Sequence, residues 1–240
     1  MQDKTAGRDT ASLRDLLREN PARVKLLQEH GVNWMEEPGR LLAEVIQAIG
    51  FDLPEFTEAM ERFDERHGTL KERGLKTDLS GWTPSRIISH IQTNHHFYER
   101  KLLMSLDQDL NKILRIHFDG HGQELIRLHD LFADLKKLLE VHYVQEDSLY
   151  FPTIQSALTE GSAAPELLAD IARLEGEHQR ALGILLAIES STDGFTPPAD
   201  GCSTYRKAFT ELKDLAESVF IHFYKESIVL FDEVKRSENS

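Results

Sequence analysis

The 240-residue chain holds one cysteine, Cys202, so no disulfide can close within it and no thiolate cluster can form; any metal must be held by nitrogen and oxygen. Long apolar runs are missing as well. The longest aliphatic stretch, residues 181–188, is far short of the ~18 residues a bilayer crossing takes. The first ten residues are polar and mixed in charge, without the apolar centre of a secretory leader, which with the lone thiol predicts a cytoplasmic protein and no membrane partner. Basic residues are few. Against 41 Asp and Glu stand 28 Lys and Arg, a net charge of −13 with no basic stripe in it, so nucleic acid is not an expected partner. Alternating strand-like runs are also absent.

What is present is apolar spacing at the helical period almost everywhere, in a chain whose 40% hydrophobic content can fill a core. The expected class is all-α. Short helices are predicted over 12–19, 22–29, 40–49 and 55–66, three of them followed by Gly31, Gly50 and Gly68. Residues 68–82 are charged and poor in large apolar groups, so they read as a linker between a small helical domain over 1–67 and a second domain over 83–240. In the second domain four long helices are predicted, over 84–114, 122–150, 165–190 and 203–235. Their separators are Asp119-Gly120 with Gly122, then Pro152 with Gly161 and Pro165, then the tract 190–203. Four helices joined in order by short connections form an up-down-up-down bundle.

Two of these helices carry His-x-x-x-Glu, as His142 with Glu146 and His222 with Glu226. At this spacing both side chains leave one helix face a turn apart and can clamp an ion. One copy is weak evidence, since an exposed pair merely supports its helix. The copies share more, however: HYVQEDSLYF and HFYKESIVLF match in chemical type, and His96 precedes the first by 46 residues as His178 precedes the second by 44. This is an internal repeat. Ligands level with each other on antiparallel neighbours need a turn near their midpoint, and the midpoints, 119 and 200, fall at Asp119-Gly120 and Asp200-Gly201. His96, His142, Glu146, His178, His222 and Glu226 can therefore meet at one height.

Four imidazoles and two carboxylates exceed what one tetrahedral zinc takes, so two ions are expected. The glutamates and a solvent-derived oxygen would bridge them and leave one position open. Thiolate-free N/O ligation suits iron, with manganese or zinc as alternatives. Ferritin-like sites use a Glu on each helix and Glu-x-x-His on two; the histidine-rich set here favours binding of a small diatomic over strongly oxidising chemistry.

The order His96, His142-x-x-x-Glu146, His178, His222-x-x-x-Glu226, with Phe151-Pro152 and the segment TPPADGCSTY, resembles hemerythrin-like domains over nearly the whole chain. Within them it is most similar to the repair-of-iron-centres family, the YtfE, ScdA and DnrN group. Hemerythrin proper has His-x-x-x-His on its third helix, whereas Leu182 stands four after His178. The resemblance implies a di-iron centre that binds NO or O2 under nitrosative or oxidative stress and a part in restoring damaged iron-sulfur proteins. In that family a Cys-Cys pair usually lies in the small N-terminal domain; here Met35 and Glu36 take its place, which weakens the expectation of any thiol-dependent step.

His95 and His96 are neighbours; the apolar set Ile88, Ile91, Tyr98 and Leu102 turns His95 inward, while the family pattern points to His96, which is chosen, leaving His95 at the surface or behind the ligands. His117, His121 and His129 lie too far along the chain to join them and mark a polar bundle end, His90 is expected to face elsewhere, and His30 and His67 suit helix ends. Tyr98, Tyr143, Tyr150 and Tyr224 are read as packing residues, with hydrogen bonding around the ligands as the alternative. Glu175 and Glu177 are read as a solvated face, with support of the His178 imidazole as the alternative. No nucleophile-base-acid order or phosphate loop stands out, so a metal-binding protein is expected rather than an enzyme, NO or peroxide reduction being the weaker reading. A di-iron sensor or reservoir signalling to a protein partner through the N-terminal domain is the alternative function, an iron-sulfur protein the other expected partner, and a homodimer is left open.

Overall fold

The computed structural model describes residues 10–67, 79, 81–161 and 164–237. Gly68 and nearly all of the expected linker lie outside the described residues. Among those described, no strand forms, and no helix is long and apolar enough to cross a membrane.

Four short helices come first: α1 (Leu13–Glu19), α2 (Arg23–Glu29), α3 (Leu42–Ala48) and α4 (Leu53–His67). The Ser12 hydroxyl accepts from the Asp15 backbone N–H at 3.1 Å and caps α1. Gly31 and Gly50, at φ +72° and +78°, supply the left-handed residue after α2 and α3. Buried Arg23 bridges Asp64 and Glu19 at 2.6 Å each and ties α2 to α4.

Four rods follow. The first is α5 (Pro84–Ile91) and α6 (Phe97–Ile116), joined by a π-helical turn over Gln92–His96. The second is α7 (Phe118–Gln145) and α8 (Phe151–Glu160) with a π turn at Glu146–Tyr150. The third is α9 (Pro165–Ser191), unbroken. The fourth is α10 (Ser203–Tyr224) and α11 (Asp232–Ser237) with a π turn at Lys225–Phe231. Each rod packs on the next, and α10 closes back on α6. The up-down-up-down bundle is thus as expected, and the turns fall at His117–His121 and at 192–202.

One boundary differs. Pro152 does not end the second rod, which runs on to Glu160. Proline lacks an N–H and collides with the carbonyl four residues back; here the π turn ends just before Phe151-Pro152, and Pro152 sits in the first turn of α8, where no intrahelical donor is needed.

The apolar interior has two parts. One, with Leu79, Ile88, Phe151, Ile154, Leu167, Ile171 and Phe231, fills the end of the bundle that holds α5 and α8. The other runs from Leu103, Leu139 and Leu182 toward the turn at His117 and continues without interruption into Leu17, Leu27, Trp34 and Phe56 of the N-terminal helices. Between the two parts lies a buried polar layer, at the height of the three π turns.

Candidate metal centre

Within that layer His96, His142, Glu146, His178, His222 and Glu226 are all wholly inaccessible to solvent. Their Nε2 atoms meet in two pairs, His96 with His222 at 3.2 Å and His142 with His178 at 3.0 Å. Each glutamate spans both pairs. Glu146 places one oxygen 3.2 Å from His96 and the other 3.2 Å from His142; Glu226 lies 2.9 Å from His222 and 3.2 Å from His178. Two four-residue groups result, His96/Glu146/His222/Glu226 and His142/Glu146/His178/Glu226, either of which can hold a metal ion.

The outward nitrogens are held as well. Nδ1 of His96 lies 2.8 Å from Asp147, that of His142 2.9 Å from Glu177, that of His222 3.1 Å from Glu99 and that of His178 3.2 Å from the Ser227 hydroxyl. A carboxylate at Nδ1 fixes the proton there and turns the Nε2 lone pair inward. Lone pairs then face each other at about 3 Å beside two buried carboxylates. Both oxygens of Glu146 and Oε2 of Glu226 have no hydrogen-bond partner. Such a set is costly alone and satisfied by cations, so the residues fit an N/O-ligated metal.

The electrostatics agree. Burial opposes ionisation of Glu146, but His142 and His96 outweigh it and hold its carboxyl well below the usual range; Glu226 is lowered too, against burial and Glu146, by His222 and His178. Burial likewise opposes charge on His142, yet Glu146, Glu177 and Glu226 lift it to about 9. His178 goes the other way: burial lowers it, and Glu226 and Glu146 do not make up the difference.

His95 is buried behind the ligands, one of the two places expected for it: in the wider π turn successive residues subtend a smaller angle, so His95 and His96 both face inward. Its Nδ1 lies 3.2 Å from Ser218 and its Nε2 accepts from the buried Lys225 ammonium at 2.8 Å. Burial lowers His95 to about 4 and Lys225 to about 8. His90 also lies near the centre, 2.9 Å from Lys225. Glu177 holds His142 instead of solvating a face, and Glu175 pairs with Lys235 at 2.7 Å. Tyr143 is not mere packing, since its hydroxyl donates to Glu99 at 2.5 Å; Tyr150 meets Arg173, Tyr224 is buried, and Tyr98 is partly exposed.

Sequence reasoning passed over Glu99, Asp147 and Ser227. Glu99, fully buried among His222, Tyr143 and Ser218, stands four after His95, the same His-x-x-x-Glu spacing that drew attention elsewhere. Asp147 and Ser227 are equivalent in the repeat, each following its glutamate. His121 lies 3.1 Å from Asp200 at the far turn, as a polar bundle end requires, and His117 sits by Tyr205 and Cys202.

Residues 87–234 match the hemerythrin HHE cation binding domain. The iron-sulfur cluster repair protein YtfE of Enterobacter sp. strain 638 is 30% identical over 169 residues, spanning 68% of this chain and 71% of that one. The YtfE proteins of Cronobacter sakazakii and Escherichia coli O157:H7 are 28% and 27% identical, with the same shares of each chain. An all-α bundle with paired His/Glu groups at its centre and these relatives together place the chain: it belongs to the hemerythrin HHE cation-binding family, in the repair-of-iron-centres branch.

Proposed function

We propose that His96, His142, Glu146, His178, His222 and Glu226 hold two iron ions, that the protein binds NO or O2 there under nitrosative or oxidative stress, and that it acts in the repair of damaged iron-sulfur centres. The carrying observation is the pairing of four inward Nε2 atoms with two glutamates that each span both pairs. The names of the relatives support the repair role. Bound iron would supply a reversible site for a diatomic ligand; the protein does the rest. Glu146 and Glu226 would offset the charge of the ions. Asp147, Glu177, Ser227 and Glu99 orient the imidazoles. Apolar layers on both sides, including Phe151, Phe231 and Phe223, whose ring stacks 3.9 Å from that of His178, keep bulk water out.

A second reading, a di-iron sensor signalling through the N-terminal helices, is favoured by one contact. The turn holding Met35 and Glu36 docks beside the centre: Asn33 accepts from Gln179, the residue after His178, at 2.7 Å. A change at the centre has a short path to that unit.

Metal analysis with an optical spectrum before and after NO tests the main reading. Two irons per chain and a new absorption band on NO addition are expected. Glu146→Ala or Glu226→Ala should drop iron toward one per chain, and two irons kept in both variants would refute bridging. Recovery of cluster enzymes in cell extract separates repair from sensing.

A further inference from the structure

The two ion positions are related by a pseudo-twofold that follows the sequence repeat, matching His96 to His178, His142 to His222 and Glu146 to Glu226. The outer partners follow it too. His142 and His222 each meet a glutamate from a neighbouring rod, Glu177 and Glu99. His96 meets Asp147, the residue after Glu146, and His178 meets Ser227, the residue after Glu226. At this last pair the symmetry breaks, because a carboxylate faces one imidazole and a neutral hydroxyl the other.

The remaining partners do not restore the balance. Asp147 and Glu177 each face an arginine, Arg100 at 2.9 Å and Arg173 at 2.8 Å, which damps both alike. Glu99 is wholly buried and pairs with the imidazoles of His222 and His95, with the Lys225 ammonium reaching it through His95. Behind the His96/His222 position therefore stand two carboxylates, one of them fully desolvated. Behind His142/His178 stands one, half neutralised. A carboxylate at Nδ1 makes an imidazole the more basic ligand, and loss of such a partner costs 10–100-fold in metal affinity.

We propose that the ion between His96 and His222 is the retained one and the ion between His142 and His178 the exchangeable one, with Ser227 in place of an acid setting the difference. This rests on the two-iron reading above. The exchangeable position is also the one on α9, beside the docked Asn33 turn.

Protein loaded with two ferrous ions per chain, mixed anaerobically with excess ferrous chelator and followed optically, tests it. Two phases of equal amplitude are expected, at least about tenfold apart in rate. Glu99→Gln should speed the slow phase and leave the fast one; Ser227→Asp should slow the fast phase toward the slow. Because these two sites are tightly enclosed, Asp147→Asn, on an arm 28% exposed, gives an independent arm and should also speed only the slow phase. A single phase, or a slow phase indifferent to both Glu99→Gln and Asp147→Asn, overturns the proposal. Loading below two ions per chain overturns instead the two-iron reading.

Discussion

Tyr143 carries no ligand atom toward the two ion positions, yet its hydroxyl, with Ser218, His222 and His95, holds Glu99 in a fully buried place. Tyr143→Phe leaves that carboxylate one bond short, and a buried acceptor so deprived costs about 1–3 kcal/mol. Urea denaturation should show this loss while metal analysis still finds two irons; an unchanged midpoint would show that Glu99 does not need the bond. A second residue-scale prediction concerns Cys202 at the far turn, where the His117 side chain and the backbone at Tyr205 draw the thiol down from 9.0 to about 7. The thiolate is the reactive form, so the alkylation rate should rise through pH 7. In His117→Ala the rise should move toward the ordinary thiol range. At this scale the inward groups were legible and the outward ones were not. His-x-x-x-Glu is a local pattern on one helix, whereas the pairings of Glu99 with His222 and of Glu177 with His142 join different rods; the one local sign was the spacing of Glu99 from His95, a histidine set aside in favour of His96. The mistaken reading of Glu177 as solvated follows from its place on an exposed-looking face of α9 in sequence.

Among the described residues, the π-helical turns all lie at the height of the centre. The π turns at Gln92–His96, Glu146–Tyr150 and Lys225–Phe231 each add a residue to the turn that carries or adjoins a proposed ligand. The repeat thus extends to backbone form, since both His-x-x-x-Glu helices widen at the glutamate. A π turn behaves as a one-residue insertion, so removing the exposed Leu149 should close the second into α register. Phe151 and Ile154 would then keep their place in the core, because the extra residue is absorbed within the turn, and the denaturation midpoint should change little. A loss on the order of 3–5 kcal/mol, that of deleting a buried aromatic, would mean instead that the turn stays open and the rod beyond it rotates by roughly 100° out of the core. Helix identity was legible from apolar period alone. The rod beyond Pro152 was not, because the rule that proline ends a helix holds for α register, and the sequence gives no sign that a wider turn precedes it.

For the molecule as a whole, the question is whether the N-terminal helices melt on their own, as a division into 1–67 and 83–240 would allow. Their contacts point to one cooperative unit. Leu17, Leu27 and Phe56 lie in the same apolar interior as Leu182 and Phe220. Lys25 pairs with Glu189, and Arg14 with the buried Asp232, at 2.5 Å each. Removing the N-terminal helices would bare part of the face of α9 and α10 and leave Asp232 with Arg236 at 3.7 Å as its remaining ion-pair partner in these contacts. The two tryptophans report on the two parts, Trp34 wholly buried among the short helices and Trp82 at the start of the first rod. In a Trp82→Phe variant, fluorescence follows Trp34 alone, while circular dichroism at 222 nm follows the long helices that dominate the chain. Coincident thermal midpoints are expected, since one interior is lost in one step. Arg14→Ala weakens the junction without touching the centre, and should pull the fluorescence midpoint below the dichroism midpoint as the short helices begin to detach first. If the midpoints already differ in the parent, the short helices fold as a separate domain. The Asn33 contact to Gln179 would then be too weak to carry a signal from the centre.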